Sequence, residues 1–134
     1  MEYKLNWINL NVNPSLLGFG ACVFLKRKMA LIDEVEAERM LDHAIESGVT
    51  YIDTAYPYHD GESEPFVGRV LKKYKREDFY LATKLPMFKI NSLEQAKEIF
   101  EEQMKRLDVN YVDFYLLHAL NKDTWKKVLD LNII

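Results

Sequence analysis

The chain has 134 residues, 49% of them hydrophobic and 29% charged, with 18 Lys and Arg against 21 Asp and Glu for a net charge of −3. At about 100–200 residues per domain this is one domain's worth of globular sequence, and its slight acidity excludes the broad basic footprint of a nucleic-acid-binding module. No window approaches the ~18 apolar residues of a membrane span, Met1 to Trp7 carries Glu2, Lys4 and Asn6 instead of an apolar signal core, and the single Cys22 excludes a disulfide framework, a cysteine-ligated zinc and an iron–sulfur cluster, so the expectation is a cytoplasmic protein without a metal.

Leu16 to Gly20 reads as a short first strand, followed by a loop from Cys22 to Leu31 that contains the basic cluster Lys26, Arg27 and Lys28. Asp33 reads as an N-cap with Glu36 three residues on, and Ala37, Met40, Leu41, Ala44 and Ile45 recur at the spacing of one helix face. Gly48 closes that helix as a left-handed cap. Val49 to Ala55 is β-branched and aromatic enough for a strand. A polar loop around Tyr58 to Glu62 leads to Ser63, the expected N-cap of a second helix, with Pro65 tolerated in the first turn. Its apolar face is Phe66, Val67, Val70, Leu71 and Tyr74, and Lys72, Lys73, Lys75 and Arg76 read as a solvated helix end. Phe79 to Lys84 is the next strand. Ser92 with Gln95 opens a third helix whose face is Ala96, Ile99, Phe100 and Leu107. Tyr111 to His118 is a fourth strand, and Asp123 with Trp125, Val128 and Leu129 begins a fourth helix.

Strand–helix alternation implies βαβ units, a mostly parallel sheet and right-handed crossovers. The strand-end residues Gly20, Asp53, Lys84 and His118 follow one another at 33, 31 and 34 residues. A (β/α)8 barrel repeats such a unit eight times over ~250 residues, and this chain holds four. A complete open α/β sheet of flavodoxin type fits the length better, although Gly18-Phe19-Gly20-Ala21-Cys22 lacks the third glycine of a phosphate-binding loop.

In both architectures function gathers at the carboxyl ends of the strands. Taken singly, Asp53 caps a turn, Lys84 reaches for solvent and His118 sits satisfied at a strand end. Three in succession, at one edge and of complementary type, read as a site. Asp53 and Lys84 on adjacent strands form an ion pair, and a retained ammonium favours ionisation of a neighbouring acid whose conjugate base is an anion. Tyr58, five residues after Asp53, is the candidate acid, since a phenol at its ordinary value near 10 donates poorly at neutral pH without such help. His118 could hold a carbonyl oxygen. Together these four make a proton-donating site for a carbonyl that needs neither nucleophile nor metal. Of the other candidates, His43 falls off its helix's apolar face, His59 reads as an exposed loop histidine, and Cys22 lies at the mouth of the sheet with nothing to activate it.

The segments Asp53-Thr54-Ala55-Tyr56-Pro57-Tyr58, then Glu64 and Gly68, Ala82-Thr83-Lys84, and Asp113 through His118 resemble the aldo-keto reductase superfamily, from about Leu16 to Trp125. The Tyr-Pro-Tyr-His variant looks most like a bacterial branch whose members often carry a C-terminal ferredoxin-like extension. The resemblance implies the N-terminal half of a (β/α)8 TIM barrel, about four βα units, with residues 1–134 a partial domain truncated after the fourth. It implies Tyr58 as general acid, Lys84 and Asp53 as the pair that makes its proton easier to give, and His118 as the carbonyl-orienting residue. It also implies NADPH as hydride donor, with Gly20, Ala21 and Asp53 on the cofactor side, and a small-molecule carbonyl substrate. Asn6 to Asn11 and the Lys26-Arg27-Lys28 loop depart from the family pattern. Because the family places its adenosine and phosphate contacts on loops after later strands, the isolated chain is expected to be inactive, and its open strand edges to favour self-association or pairing with a C-terminal half. No nucleic-acid or membrane partner is expected. The alternatives are a non-catalytic half-barrel interaction module, or an enzyme of another class in which Lys84 forms a Schiff base.

Overall fold

The computed structural model describes residues 12–24 and 32–134, so the Asn6 to Asn11 segment and the Lys26-Arg27-Lys28 cluster lie outside it. Its described strands are β1 (Gly18–Gly20), β2 (Tyr51–Asp53), β3 (Tyr80–Leu85) and β4 (Phe114–Leu117), and its helices α1 (Glu34–Glu46), α2 (Ser63–Leu71), α3 (Leu93–Leu107) and α4 (Lys122–Asp130). The strands pair in chain order, all parallel, with Gly20 opposite Asp53, Asp53 opposite Ala82 and Ala82 opposite Phe114. A flavodoxin-type sheet reverses its strand order at a switch point. Sequential order with right-handed crossovers places every helix on one face instead, as in a barrel wall. The described fold is four βα units, half of a (β/α)8 barrel.

Local sequence explains most element ends. Asp33 accepts from the Glu36 amide to open α1, and Gly48, just past its end, takes the φ of 94° that a side chain would resist. Ser92 caps α3 through the Gln95 amide. Two expectations need correction. Ser63 is the first residue of α2 rather than its cap: its hydroxyl turns inward, 3.3 Å from the Ala21 carbonyl and 3.0 Å from Thr54 Oγ1, and so joins the ends of β1 and β2 to the helix. The cap of α4 is Asn121, which accepts from the Asp123 and Thr124 amides while the Thr124 hydroxyl accepts from the Asn121 amide.

The main core lies between the sheet and α1, α2 and α3, where Leu41, Ile52, Val67, Leu81 and Leu107 are fully buried. Each such side chain contributes roughly 1.5–3 kcal/mol relative to exposure. A smaller cluster of Leu85, Met87, Ile90, Ala96 and Val128 holds α4, whose Trp125 and Leu129 remain exposed. Gly68 fixes the α2–α3 crossing, because a Cβ there would lie 2.4 Å from the Leu107 carbonyl oxygen.

The predicted fourth strand shortens at its start. Asp113 accepts from the Leu81 amide at 2.8 Å and pairs with Arg76 at 2.6 Å, locking β4 to β3 through a side chain. Arg76 thus leaves the solvated helix end expected of it, and its guanidinium lies 3.9 Å from the Tyr111 ring centroid. Among the described residues no helix is long and apolar enough to cross a membrane.

Candidate active site

Parallel register brings the strand ends into one row. Asp53 ends β2, Lys84 is one residue from the end of β3, and His118 follows β4 with its amide bonded to the Leu85 carbonyl at 3.0 Å. Tyr58 opens a tight turn, Tyr58–Gly61, on the loop after β2, its amide bonded to the Ala55 carbonyl at 3.1 Å.

Lys84 is the centre of the arrangement. Its Nζ lies 2.5 Å from Asp53 Oδ1, 2.8 Å from the Thr54 carbonyl oxygen and 3.1 Å from the Tyr58 hydroxyl. An ammonium has three protons, and here it has three oxygen partners. Its side chain is 14% exposed, so the pair with Asp53 is well shielded from solvent. Lys84 Nζ also lies 4.6 Å from the centroid of the Tyr58 ring.

The Tyr58 and His118 rings meet edge to face, their centroids 5.7 Å apart, and Phe88 flanks His118 at 6.2 Å. Burial, followed by the Lys84 ammonium, holds the His118 imidazole below its ordinary value, and the Asp53 carboxylate opposes them. The result is a neutral imidazole at pH 7 beside a phenol hydroxyl and a paired ammonium. Such a group can donate one hydrogen bond to an oxygen that also receives a proton from the phenol.

The remaining sequence candidates divide. Gly20 lies at the end of β1 beside Asp53, and among the described residues a Cβ built on it meets only Cys22 Sγ within contact range, at 3.9 Å. Ala21 is fully buried and offers no side-chain surface. His59 departs from expectation: it is 8% exposed, because left-handed backbone at His59 and Asp60 folds the turn back and sets its ring 5.6 Å from Phe24. His43 is exposed. No group of three His, Cys, Asp or Glu suited to a metal occurs among the described residues.

Behind the row lies a polar cluster that sequence reasoning left without a role. Glu64, Thr83 and Gln103 are fully buried and hydrogen-bonded to one another. One signal could have found it: Gln103 falls on the apolar stripe of α3 between Ala96 and Leu107, where an amide must have partners.

The family model for the aldo/keto reductase family matches residues 16–130. Aldo-keto reductase YhdN of Bacillus subtilis is 32% identical over 126 residues, which cover 88% of this chain and 38% of that protein. Probable aldo-keto reductase 1 of Glycine max is 33% identical over 115 residues, 80% of this chain and 33% of that protein. Of solved structures, aldo-keto reductase AKR11C1 from Bacillus halodurans in its holo form superposes with a TM-score of 0.67 at 32% identity, over 91% of this chain and 43% of that one. An aldo-keto reductase from Klebsiella pneumoniae in complex with NADPH gives 0.66 at 25% identity, over 87% and 40%. The chain therefore spans about two-fifths of the length of these relatives.

Proposed function

This chain belongs to the aldo/keto reductase family, and we propose that it supplies the proton-donating part of an NADPH-dependent reduction of an aldehyde or ketone to an alcohol. The observation that carries the reading is the Lys84 ammonium, held between the Asp53 carboxylate and the Tyr58 hydroxyl. Tyr58 gives its proton to the carbonyl oxygen. The ammonium, already in hydrogen-bond contact, stabilises the phenolate left behind, and Asp53 holds the ammonium in place. His118, neutral, orients the carbonyl oxygen by a hydrogen bond. Gly20 and Asp53 would lie beside the nicotinamide, which supplies the hydride when NADPH is bound. NADPH in the Klebsiella pneumoniae relative supports this cofactor.

A Schiff-base role for Lys84 is weakened by the same geometry, since an amine whose three protons all face oxygen acceptors presents no lone pair to a carbonyl. We propose further that the 134-residue chain alone binds NADPH very weakly or not at all. A micromolar dissociation constant in a fluorescence titration would overturn that point.

The function itself is tested in a chimera in which residues 16–130 replace the matching segment of the Bacillus subtilis relative. The chimera should oxidise NADPH in the presence of an aldehyde, and Tyr58→Phe should lower kcat by about 10²–10⁴-fold, the usual worth of a general acid. A Tyr58→Phe chimera that turns over at the parent rate would refute the assignment.

A further inference from the structure

Glu64 has no place in the proton-transfer row, yet it is a fully buried acid. A buried carboxylate is costly without partners, and burial raises the Glu64 carboxyl above its usual range against the pull of Thr83, Gln103 and Arg106. Packing alone gives no reason for an acid here. Its partners supply one, because they lead to both halves of the candidate site.

Glu64 Oε1 accepts from the Thr83 hydroxyl at 2.7 Å and from Gln103 Nε2 at 2.6 Å. Gln103 Nε2 lies 3.1 Å from the backbone carbonyl oxygen of Lys84, and Gln103 Oε1 accepts from the Tyr115 hydroxyl at 2.7 Å. This arm grips the end of β3 where Lys84 is mounted. In the other direction, Glu64 Oε2 faces the Arg106 guanidinium at 3.6 Å. Arg106 lies 4.0 Å from the centroid of the Tyr56 ring and 3.5 Å from the Tyr56 carbonyl oxygen. The Tyr56 hydroxyl donates to Glu102, which Arg106 also holds. Tyr56 lies two residues before Tyr58 on the same loop.

We propose that Glu64 is a positioning residue: one buried carboxyl, acting through Gln103 on the Lys84 strand end and through Arg106 on the Tyr58 loop, sets the separation of the Lys84 ammonium from the Tyr58 hydroxyl. The proposal rests on the functional reading above. Proton donation depends on that separation, since a misplacement of about 1 Å at a reacting group can cost about 10²-fold in rate.

His118 reports the position of the Lys84 charge without any need for turnover. Its ring faces Tyr58 from the turn after β2, Phe88 from the segment after β3, and the charges of Lys84 on β3 and Asp53 on β2. The experiment is an NMR titration of the three imidazoles of the 134-residue chain, with His118 identified by His118→Gln. Lys84→Met, which removes the ammonium and leaves Asp53 unopposed, should raise the His118 midpoint and sets the full scale. Gln103→Met and Glu64→Gln should each shift it, up or down as the ammonium moves away from or toward the ring, by at least a third of that amount. Leu41→Ala, a core truncation in α1, should lower stability and leave His118 where it is. If both network variants fold and His118 stays at the parent value while Lys84→Met moves it, the positioning role is wrong. If only one folds, that one decides. If both unfold while Leu41→Ala folds, the network serves the fold alone and the proposal is equally overturned. If Lys84→Met itself leaves His118 unmoved, it is the reading of the Lys84, Tyr58 and His118 site that fails.

Discussion

His118 shows most directly how one side chain's surroundings set its chemistry. Burial and the nearby ammonium hold its folded value below 6.5, so the native state binds its proton less readily than the unfolded chain does. The stability this contributes is complete above about pH 6.5, the unfolded value, and is lost as pH falls through the lowered folded value. His118→Gln should therefore flatten the acid side of the stability curve, measured as urea midpoint against pH; an unchanged slope below pH ~6.5 would contradict this. Asp53, Lys84 and His118 were legible in the sequence because polar residues that end apolar strands at a constant period stand out against the pattern. Tyr58 was legible by its closeness to Asp53. Glu64 was not, because an acid in the first turn of a helix has an ordinary explanation in the helix dipole. The burial of His59 is not legible either, because nothing in its neighbours signals the left-handed backbone that turns its ring into the core.

Among the elements, the α2–α3 pair matters most, since α2 carries Glu64 and α3 carries Gln103 and Arg106. Their crossing depends on Gly68. The obstacle to a Cβ there is backbone, the Leu107 carbonyl at 2.4 Å, which cannot rotate away as a side chain can. Gly68→Ala should cost about 1–3 kcal/mol in urea unfolding, as overpacking does, and a cost near zero would show that the helices part freely. At α4, Asn121→Ala removes a cap that serves two amides and should cost about 1 kcal/mol. The equivalent change at Asp123, the residue the sequence suggested as the start, should cost less. Equal losses would reverse that assignment. The caps at Asp33 and Ser92 were readable because a polar residue stood just before a clear apolar periodicity. At α4 the periodicity is weak, with only Val128 buried, so its start could not be read from the pattern.

At the scale of the whole molecule, the two apolar clusters among the described residues are unequal. The larger joins the sheet to α1, α2 and α3, whereas α4 rests on a cluster of five buried residues and leaves Trp125 and Leu129 exposed. Local opening follows the amount of buried apolar contact. Native-state hydrogen exchange should find α4 amides opening well below the free energy of those in β3 and α2, and equal protection across all four would contradict the division. The sequence by itself determined the unit, a βα repeat of 31 to 34 residues, and placed Gly20, Asp53, Lys84 and His118 within one residue of their strand ends. These follow from local periodicity and chain length, which need no distant contacts. Periodicity alone left the open sheet and the barrel wall side by side; the family resemblance implied the barrel, and only the tertiary structure decided the strand order itself, because that is a matter of which edges pair. The same holds for the buried carboxyl of Glu64 behind the Tyr58–Lys84 pair: its partners lie 19, 39 and 42 residues away in sequence, at Thr83, Gln103 and Arg106, and only packing of α3 on α2 and β3 brings them together.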